Sequence, residues 1–207
     1  MKKLNVFIYA VLAGIAIAIG GTVFLVCENK YLGAAMFSVG LYAVCTLGLN
    51  LYTGKVCYLF DNKPSYLVDL GIIWVGNLVG SLLMGTLVRN TRLTAAIAAA
   101  ETAAATKLGD GLLSIFLLAI LCNFMIYLAV ENYKNNPHEF AKYLGIFMGV
   151  AVFVMSGFEH CVANMFYITV AGAWSGKAVL YVIVMTLGNS VGGVIFPLAR
   201  KLKDKYN

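Results

Sequence analysis

Apolar residues fall into long charge-free runs along the chain, at Leu4–Cys27, Tyr31–Gly54, Leu70–Val88, Gly111–Val130, Tyr143–Phe158 and Ala178–Ala199. A helix crossing a bilayer needs about 20 mainly apolar residues, so most of these runs predict a transmembrane helix unaided. The fifth run is interrupted by Glu159 and His160 and resumes from Cys161 to Trp174, and the pattern as a whole predicts six spans. The first run is too long for a secretory leader and lacks a small-residue cleavage site followed by a polar mature chain, so it is read as the first span.

The runs repeat. Gly76-Asn77-Leu78-Val79-Gly80 returns as Gly188-Asn189-Ser190-Val191-Gly192, and the shift that carries Gly76 onto Gly188 also carries Lys30 onto Lys142 and Leu41 onto Phe153. The chain therefore reads as one transmembrane transporter domain over 1–207, with repeat halves at about 1–90 and 107–205. An odd number of spans in each half forces the halves into opposite orientations. Inverted repeats of this kind place a transport site at their junction. Gly76/Gly80 and Gly188/Gly192 are small-residue pairs at helical spacing, which read as close helix packing.

The second and fifth spans carry polar and glycine residues at membrane depth. Leu47-Gly48-Leu49-Asn50-Leu51-Tyr52-Thr53-Gly54-Lys55 does so in one half, and Ser156-Gly157-Phe158-Glu159-His160-Cys161-Val162-Ala163-Asn164 in the other. Gly48 and Gly157 lie slightly closer together than Gly76 and Gly188 do, so the repeats differ a little in length here. Irregular backbone inside a bilayer is tolerated only where protein or a water-filled cavity satisfies its amides, so both spans are predicted to be broken beside a pathway. The Ala- and Thr-rich stretch Asn90–Asp110 predicts an outer-surface helix leading into the fourth span.

Composition sharpens this picture. Hydrophobic residues make up 61% of the chain and charged residues 12%, unlike a soluble domain. The net charge of +6 does not indicate nucleic acid, because the basic residues sit at the ends of apolar runs. Lys2, Lys3, Lys63, Lys134, Lys142, Arg200, Lys201, Lys203 and Lys205 fall on one side and Lys30, Arg89, Arg92, Lys107 and Lys177 on the other. That bias places both termini in the cytoplasm, in the inner (plasma) membrane. Cys27, Cys45, Cys57, Cys122 and Cys161 show no metal or disulfide spacing and read as small packing residues. No phosphate loop, zinc spacing, haem motif or nucleophile elbow is present, so the chain is read as no enzyme, with no cofactor and no metal.

The candidate residues follow from the breaks. Glu159 and His160 are adjacent ionisable groups in the interior, where such residues usually face a cavity. His160 either contacts a permeating anion, with a proton to give, or pins the broken helix as a neutral ring. Glu159 is read as structural, its carboxylate accepting from freed backbone amides. Asn77, Asn123, Asn164 and Asn189 need partners within apolar runs and support the breaks, with Asn123 placed nearest the pore. Thr53 offers a hydroxyl from the first break toward His160. Phe37, Leu41 and Phe153 either simply pack or form narrow apolar rings that strip water from ions. Lys107, Lys30 and Lys2 or Lys3 either draw anions into the mouths or anchor the interface.

Ser156-Gly157-Phe158-Glu159-His160-Cys161-Val162-Ala163-Asn164-Met165 closely resembles the S-G-F-E-H-x-x-A-N-M signature of the formate/nitrite transporter family. Ala119 to Ala129, with Asn123 within it, looks like the family's A-x-x-x-N-x-x-x-x-x-A element, and Leu47 to Gly54 resembles its G-x-D-L-F-T element. The resemblance runs in order from Leu4 to about Arg200. It implies an all-α homo-pentamer of six-helix protomers, each an aquaporin-like inverted repeat with its own pore. It also implies passage of small monovalent anions or their conjugate acids, such as formate, nitrite or hydrosulfide. By that resemblance the pore histidine falls on His160, the loop threonine on Thr53, the pore asparagine on Asn123 and the vestibule lysine on Lys107. The constriction falls on Phe37, Leu41 and Phe153. Asn50 and Tyr52 stand where the family usually has an acid and Phe, and Lys55 where a small or apolar residue is commoner. An ammonium at Lys55 is expected to raise anion affinity or hold the loop shut. The segment Ala171–Lys177 is unusually short.

The sequence thus predicts a channel-like carrier in a lipid bilayer that moves a small monovalent anion together with protons. The anion is attracted to a cationic vestibule, dehydrated at an apolar constriction and protonated as desolvation raises its pKa, with His160 or its water as the source. The competing readings are a neutral small-solute pore of aquaporin-like type and a non-transporting membrane scaffold.

Overall fold

The structure, a computed structural model, describes residues 2–206. Its helices in chain order are α1 (Lys2–Val26), α2 (Lys30–Met36), α3 (Ser38–Thr46), α4 (Tyr52–Lys55), α5 (Tyr66–Arg89), α6 (Thr94–Gly109), α7 (Leu112–Asn135), α8 (Glu139–Met155), α9 (Cys161–Ala171) and α10 (Gly176–Tyr206), with a 3-10 turn at Val56–Asp61. No strand occurs among the described residues. Helices α1, α5, α7 and α10 are long and apolar enough to cross a membrane. Their outward faces carry exposed leucines such as Leu83, Leu87, Leu113 and Leu117. Apolar residues so displayed are stable facing lipid, and the chain is a multi-pass membrane protein.

Both ends of the chain lie on one face. There Lys3 meets Asp69 at 4.0 Å, Lys201 meets Asp61 at 2.6 Å, Arg200 pairs with Glu131, and Asn132 donates to the Ala141 carbonyl at 2.7 Å. On the opposite face Arg89 donates to the Val170 carbonyl at 2.8 Å and Tyr181 to the Asp110 carbonyl at 2.6 Å. Asp110 starts α7 by accepting from the Gly111 amide and the Ser114 hydroxyl, and those bonds hold its carboxyl below the usual carboxylate range, the hydroxyl contributing most. The segment before α7 is helical as expected, but α6 is no loose surface cover. It buries Ala96, Ala100 and Ala104 and packs against α9 and α1.

Close helix contact explains the paired glycines. A Cβ on Gly80 would run into the Val11 carbonyl of α1, and one on Gly192 into the Ile120 carbonyl of α7. Gly76 faces Ala10, and Gly188 faces Ala119. With no hydrophobic effect to draw helices together in lipid, such approach is what secures them. Gly192→Ala is expected to destabilise by about 1–3 kcal/mol, because the added methyl meets backbone that cannot swing aside. Gly71→Ala is the control: nothing lies within 4 Å of its Cβ position, so its thermal midpoint in detergent should match the parent. Equal midpoints for both variants would refute the close-packing account.

Helix is lost at two places. Between α3 and α4 the chain turns at Gly48 with φ 65°, and between α8 and α9 at Gly157 with φ 68°. Only glycine adopts that left-handed conformation without strain. The two turns share their hydrogen bonds in the register that sets Gly48 on Gly157. The Leu49 amide donates to Val44 at 2.9 Å and the Phe158 amide to Phe153 at 3.0 Å; the Asn50 amide reaches Tyr9 at 3.2 Å and the Glu159 amide Leu118 at 3.3 Å. By this register Phe153 corresponds to Val44, not to Leu41 as the shift of the glycine motifs implies.

Candidate functional site

A break in a helix frees both N–H and C=O groups, so its support must both donate and accept. A carboxamide does both. Asn77 Oδ1 accepts from the Tyr52 amide at 2.8 Å, while its Nδ2 donates to the Ala10 and Asn50 carbonyls at 2.8 and 2.9 Å. In the other half Asn189 Oδ1 accepts from the Cys161 amide at 2.9 Å, and its Nδ2 donates to the Ala119 and Glu159 carbonyls, each at 2.8 Å. Both asparagines are fully buried.

Glu159 does not support the break through its carboxylate, contrary to the reading from sequence. A carboxylate only accepts, and this one is taken by side chains: Lys107 Nζ lies 2.8 and 2.7 Å from its two oxygens, and Asn164 Nδ2 lies 2.7 Å from one of them. Of the freed amides, those of Tyr52 and Cys161 go to the two asparagines and that of Ala163 to His160, while those of Asn50 and Glu159 go to backbone carbonyls.

His160 and Thr53 meet at the centre. The ring Nδ1 accepts from the Ala163 amide at 3.2 Å, capping α9, so in the neutral ring the proton is assigned to Nε2. That nitrogen lies 2.9 Å from Thr53 Oγ1, and both residues are buried. The histidine therefore pins its helix and also aims a polar atom at the other break. Asn123 stands behind Thr53, donating to its carbonyl at 3.0 Å, and lines neither cleft described below. Its Oδ1 and that of Asn164 are buried without a hydrogen-bond partner among the described residues.

Two clefts flank this centre. One, of about 190 Å³, is lined by Lys107, Asn164, His160, Phe37 and Phe153 among others. The other, of about 110 Å³, is lined by Leu41, Leu49, Leu51, Lys55, Tyr133 and Lys134 among others. Most residues of the first have a counterpart in the second in the Gly48-on-Gly157 register, including His160 with Leu51, Phe153 with Val44 and Asn164 with Lys55. Phe37, Leu41 and Phe153 are all buried. The Phe37 and Phe153 rings meet edge to face with centroids 5.9 Å apart, and Phe153 stacks on His160 at 5.7 Å. Lys107, Asn164, His160, Phe37 and Phe153 thus line one cleft and Leu41 the opposite one, while Thr53 and Asn123 line neither.

The departures from the family pattern are accommodated. Asn50 Nδ2 donates to the Val6 carbonyl at 3.2 Å, and Tyr52 shares a hydrogen bond with Ser190 at 2.9 Å. Lys134, which reads in the sequence as a topology signal, lines a cleft, and so do Phe24, Tyr133 and Tyr167, which the sequence does not single out. Each sits within or at the end of an apolar run, and nothing local sets it apart.

An all-helical membrane fold in which two non-helical turns lie beside a buried His160–Thr53 pair suits a transporter-type protein rather than an enzyme, and its relatives are of that kind. Residues 1–200 match the model of the formate/nitrite transporter family, and the chain belongs to that family. It is 33% identical over 183 residues to the uncharacterized transporter YrhG of Bacillus subtilis, covering 81% of this chain and 69% of that protein. A probable formate transporter of Methanothermobacter thermautotrophicus is 31% identical, with 93% and 85% covered. Among solved structures, a pentameric formate channel with formate bound superposes with a TM-score of 0.87 at 26% identity, covering 100% of this chain and 98% of that one.

Proposed function

We propose that the chain passes small monovalent anions or their conjugate weak acids, of the formate, nitrite and hydrosulfide class, through each protomer of a homo-pentamer. On this reading the protein spans the inner (plasma) membrane six times as an inverted three-plus-three repeat over a single domain, with both termini cytoplasmic. The second and fifth spans are the interrupted ones. Support comes from the matched bonds at the two breaks, the shared face of the termini and the pentameric formate channel of like fold.

The observation that carries the reading is the His160–Thr53 contact, with Phe37 and Phe153 lining the cleft on the His160 side and Leu41 lining the other. An anion is drawn to the cleft beside Lys107 and loses water at the rings. A dry surround disfavours the charged form of a weak acid, so the anion's affinity for a proton rises as it advances. His160 presents Nε2–H to an incoming oxygen, in place of Thr53, and holds the anion where that happens. Its Nδ1 stays on the Ala163 amide, so the proton that neutralises the anion is a solvent proton, carried in from the bulk as hydronium along the water of the cleft. Passage is thereby proton-linked through the histidine without the ring having to charge.

The test is formate flux into proteoliposomes across pH. The parent's flux should rise as the pH falls, because the acid form grows. His160→Ala should lower that flux by about a hundredfold, the low end of what removing one positioned donor costs. An unchanged pH profile and rate in His160→Ala would discard the histidine's role. Glycerol flux matching that of formate would favour the neutral-solute pore, and intact pentamers without uptake the scaffold.

A further inference from the structure

We infer that Lys55 and Lys134 form a second docking site for a small monovalent anion, in the cleft on the face that carries the termini. This inference rests on the transport reading above and adds the second end of the path. The cleft there is the counterpart of the one beside Lys107, since most of their lining residues pair in the Gly48-on-Gly157 register. Where one cleft has Asn164, the other has Lys55.

Both lysines line this cleft, and among the described residues no carboxylate hydrogen-bonds or ion-pairs with either ammonium. Among the described residues, Lys55 Nζ has no hydrogen bond or ion pair. Its backbone is held by Tyr66, whose hydroxyl donates to the Lys55 carbonyl at 3.1 Å. Lys134 Nζ lies 3.5 Å from the centroid of the Tyr58 ring, a cation–π contact that fixes where the charge sits. The nearby carboxylate, Glu131, is committed elsewhere: it accepts from the Tyr58 hydroxyl and from Asn135 at 2.9 Å each, and pairs with Arg200. Two like charges brought to one cleft without a counter-ion favour an anion between them.

Size and wall chemistry narrow the ligand. At about 110 Å³ this cleft is the smaller of the two, the other being about 190 Å³, and a compact monovalent anion suits it. Leu41, Leu49 and Leu51 offer no hydrogen bonds, so they suit an ion that is ready to shed its shell. A small carboxylate or oxyanion fits, whereas a polyphosphate does not. Lys55 follows Thr53 with only Gly54 between them, so an anion docked here waits at the central constriction. Weak binding at each end of a path allows both entry and exit, which a single strong site would hinder.

The test uses sodium formate and the full chain in vesicles of known insertion direction. Lys55→Met and Lys134→Met should each raise the half-saturating formate concentration for entry from the termini face by about fivefold, the value of one contact charge in water. Entry from the Lys107 face should stay within about twofold, and Lys55→Arg and Lys134→Arg should restore the parent value. Half-saturation unchanged on the termini face, or raised equally on both faces, overturns the site while leaving transport standing. Should the parent carry no formate, the transport reading fails by itself. The dock is then read from the linewidth of ¹³C-formate over solubilised protein. Broadening that either Met variant diminishes upholds the dock, and broadening that neither alters overturns it.

Discussion

Asn189→Leu is expected to lower the apparent melting midpoint of the purified protein by about 10 °C, the equivalent of about 4 kcal/mol for a chain of this size. Leucine nearly matches asparagine in shape, so the change removes hydrogen bonds without leaving a large void. The Cys161 amide and the Glu159 carbonyl are held by Asn189, and both residues are buried. Each orphaned group costs about 1–3 kcal/mol, and two of them account for the figure.

Asn77→Leu should behave alike, since it frees the Tyr52 amide and the Asn50 carbonyl in the other half. Fluorescence-detected gel filtration after a temperature ramp measures both. A midpoint within a degree or two of the parent in both variants would mean that the breaks are held by something other than these carboxamides. Asn189→Asp should not rescue: it keeps the acceptor, loses both donor bonds and buries a charge.

The non-helical turns at Gly48 and Gly157 fall in the two segments where the sequence puts glycine, asparagine and charge together, residues that call for freed backbone or a cavity beside them. Their polar partners were legible only by type. That Asn77 and Asn189 rather than Glu159 serve the freed backbone depends on which side chain arrives with both a donor and an acceptor, and such reach is set by helix packing. The register is concealed for a related reason. The glycine motifs and the interrupted segments repeat at slightly different shifts, so Phe153 answers to Val44 and His160 to Leu51. The glycines already show that the length changes, but not where between them it does, and that place decides whether Phe153 answers to Leu41 or to Val44. The aromatic contacts Phe37–Phe153 and Phe153–His160 join α2–α3 to α8–α9, and no local pattern announces them.

Lys107→Met is expected to cost about 3–5 kcal/mol, because it strands the Glu159 carboxylate in a site where that side chain is 4% exposed. Asn164 remains as a donor, yet one neutral amide does not replace an ammonium that contacts both oxygens. Glu159→Gln is expected to cost much less, about 1 kcal/mol, since Lys107 lines the cleft and its side chain is 19% exposed, so it keeps access to water. The pair is therefore asymmetric, and the double variant decides the matter. With Glu159→Gln also present, Lys107→Met no longer leaves a bare charge, so the double variant should be more stable than Lys107→Met alone by about 2 kcal/mol. Thermal midpoints of the four proteins close the cycle. Strictly additive losses would show that the two groups do not depend on each other. In that case Lys107 would be an ordinary vestibule cation, and Glu159 would owe its place to Asn164 alone.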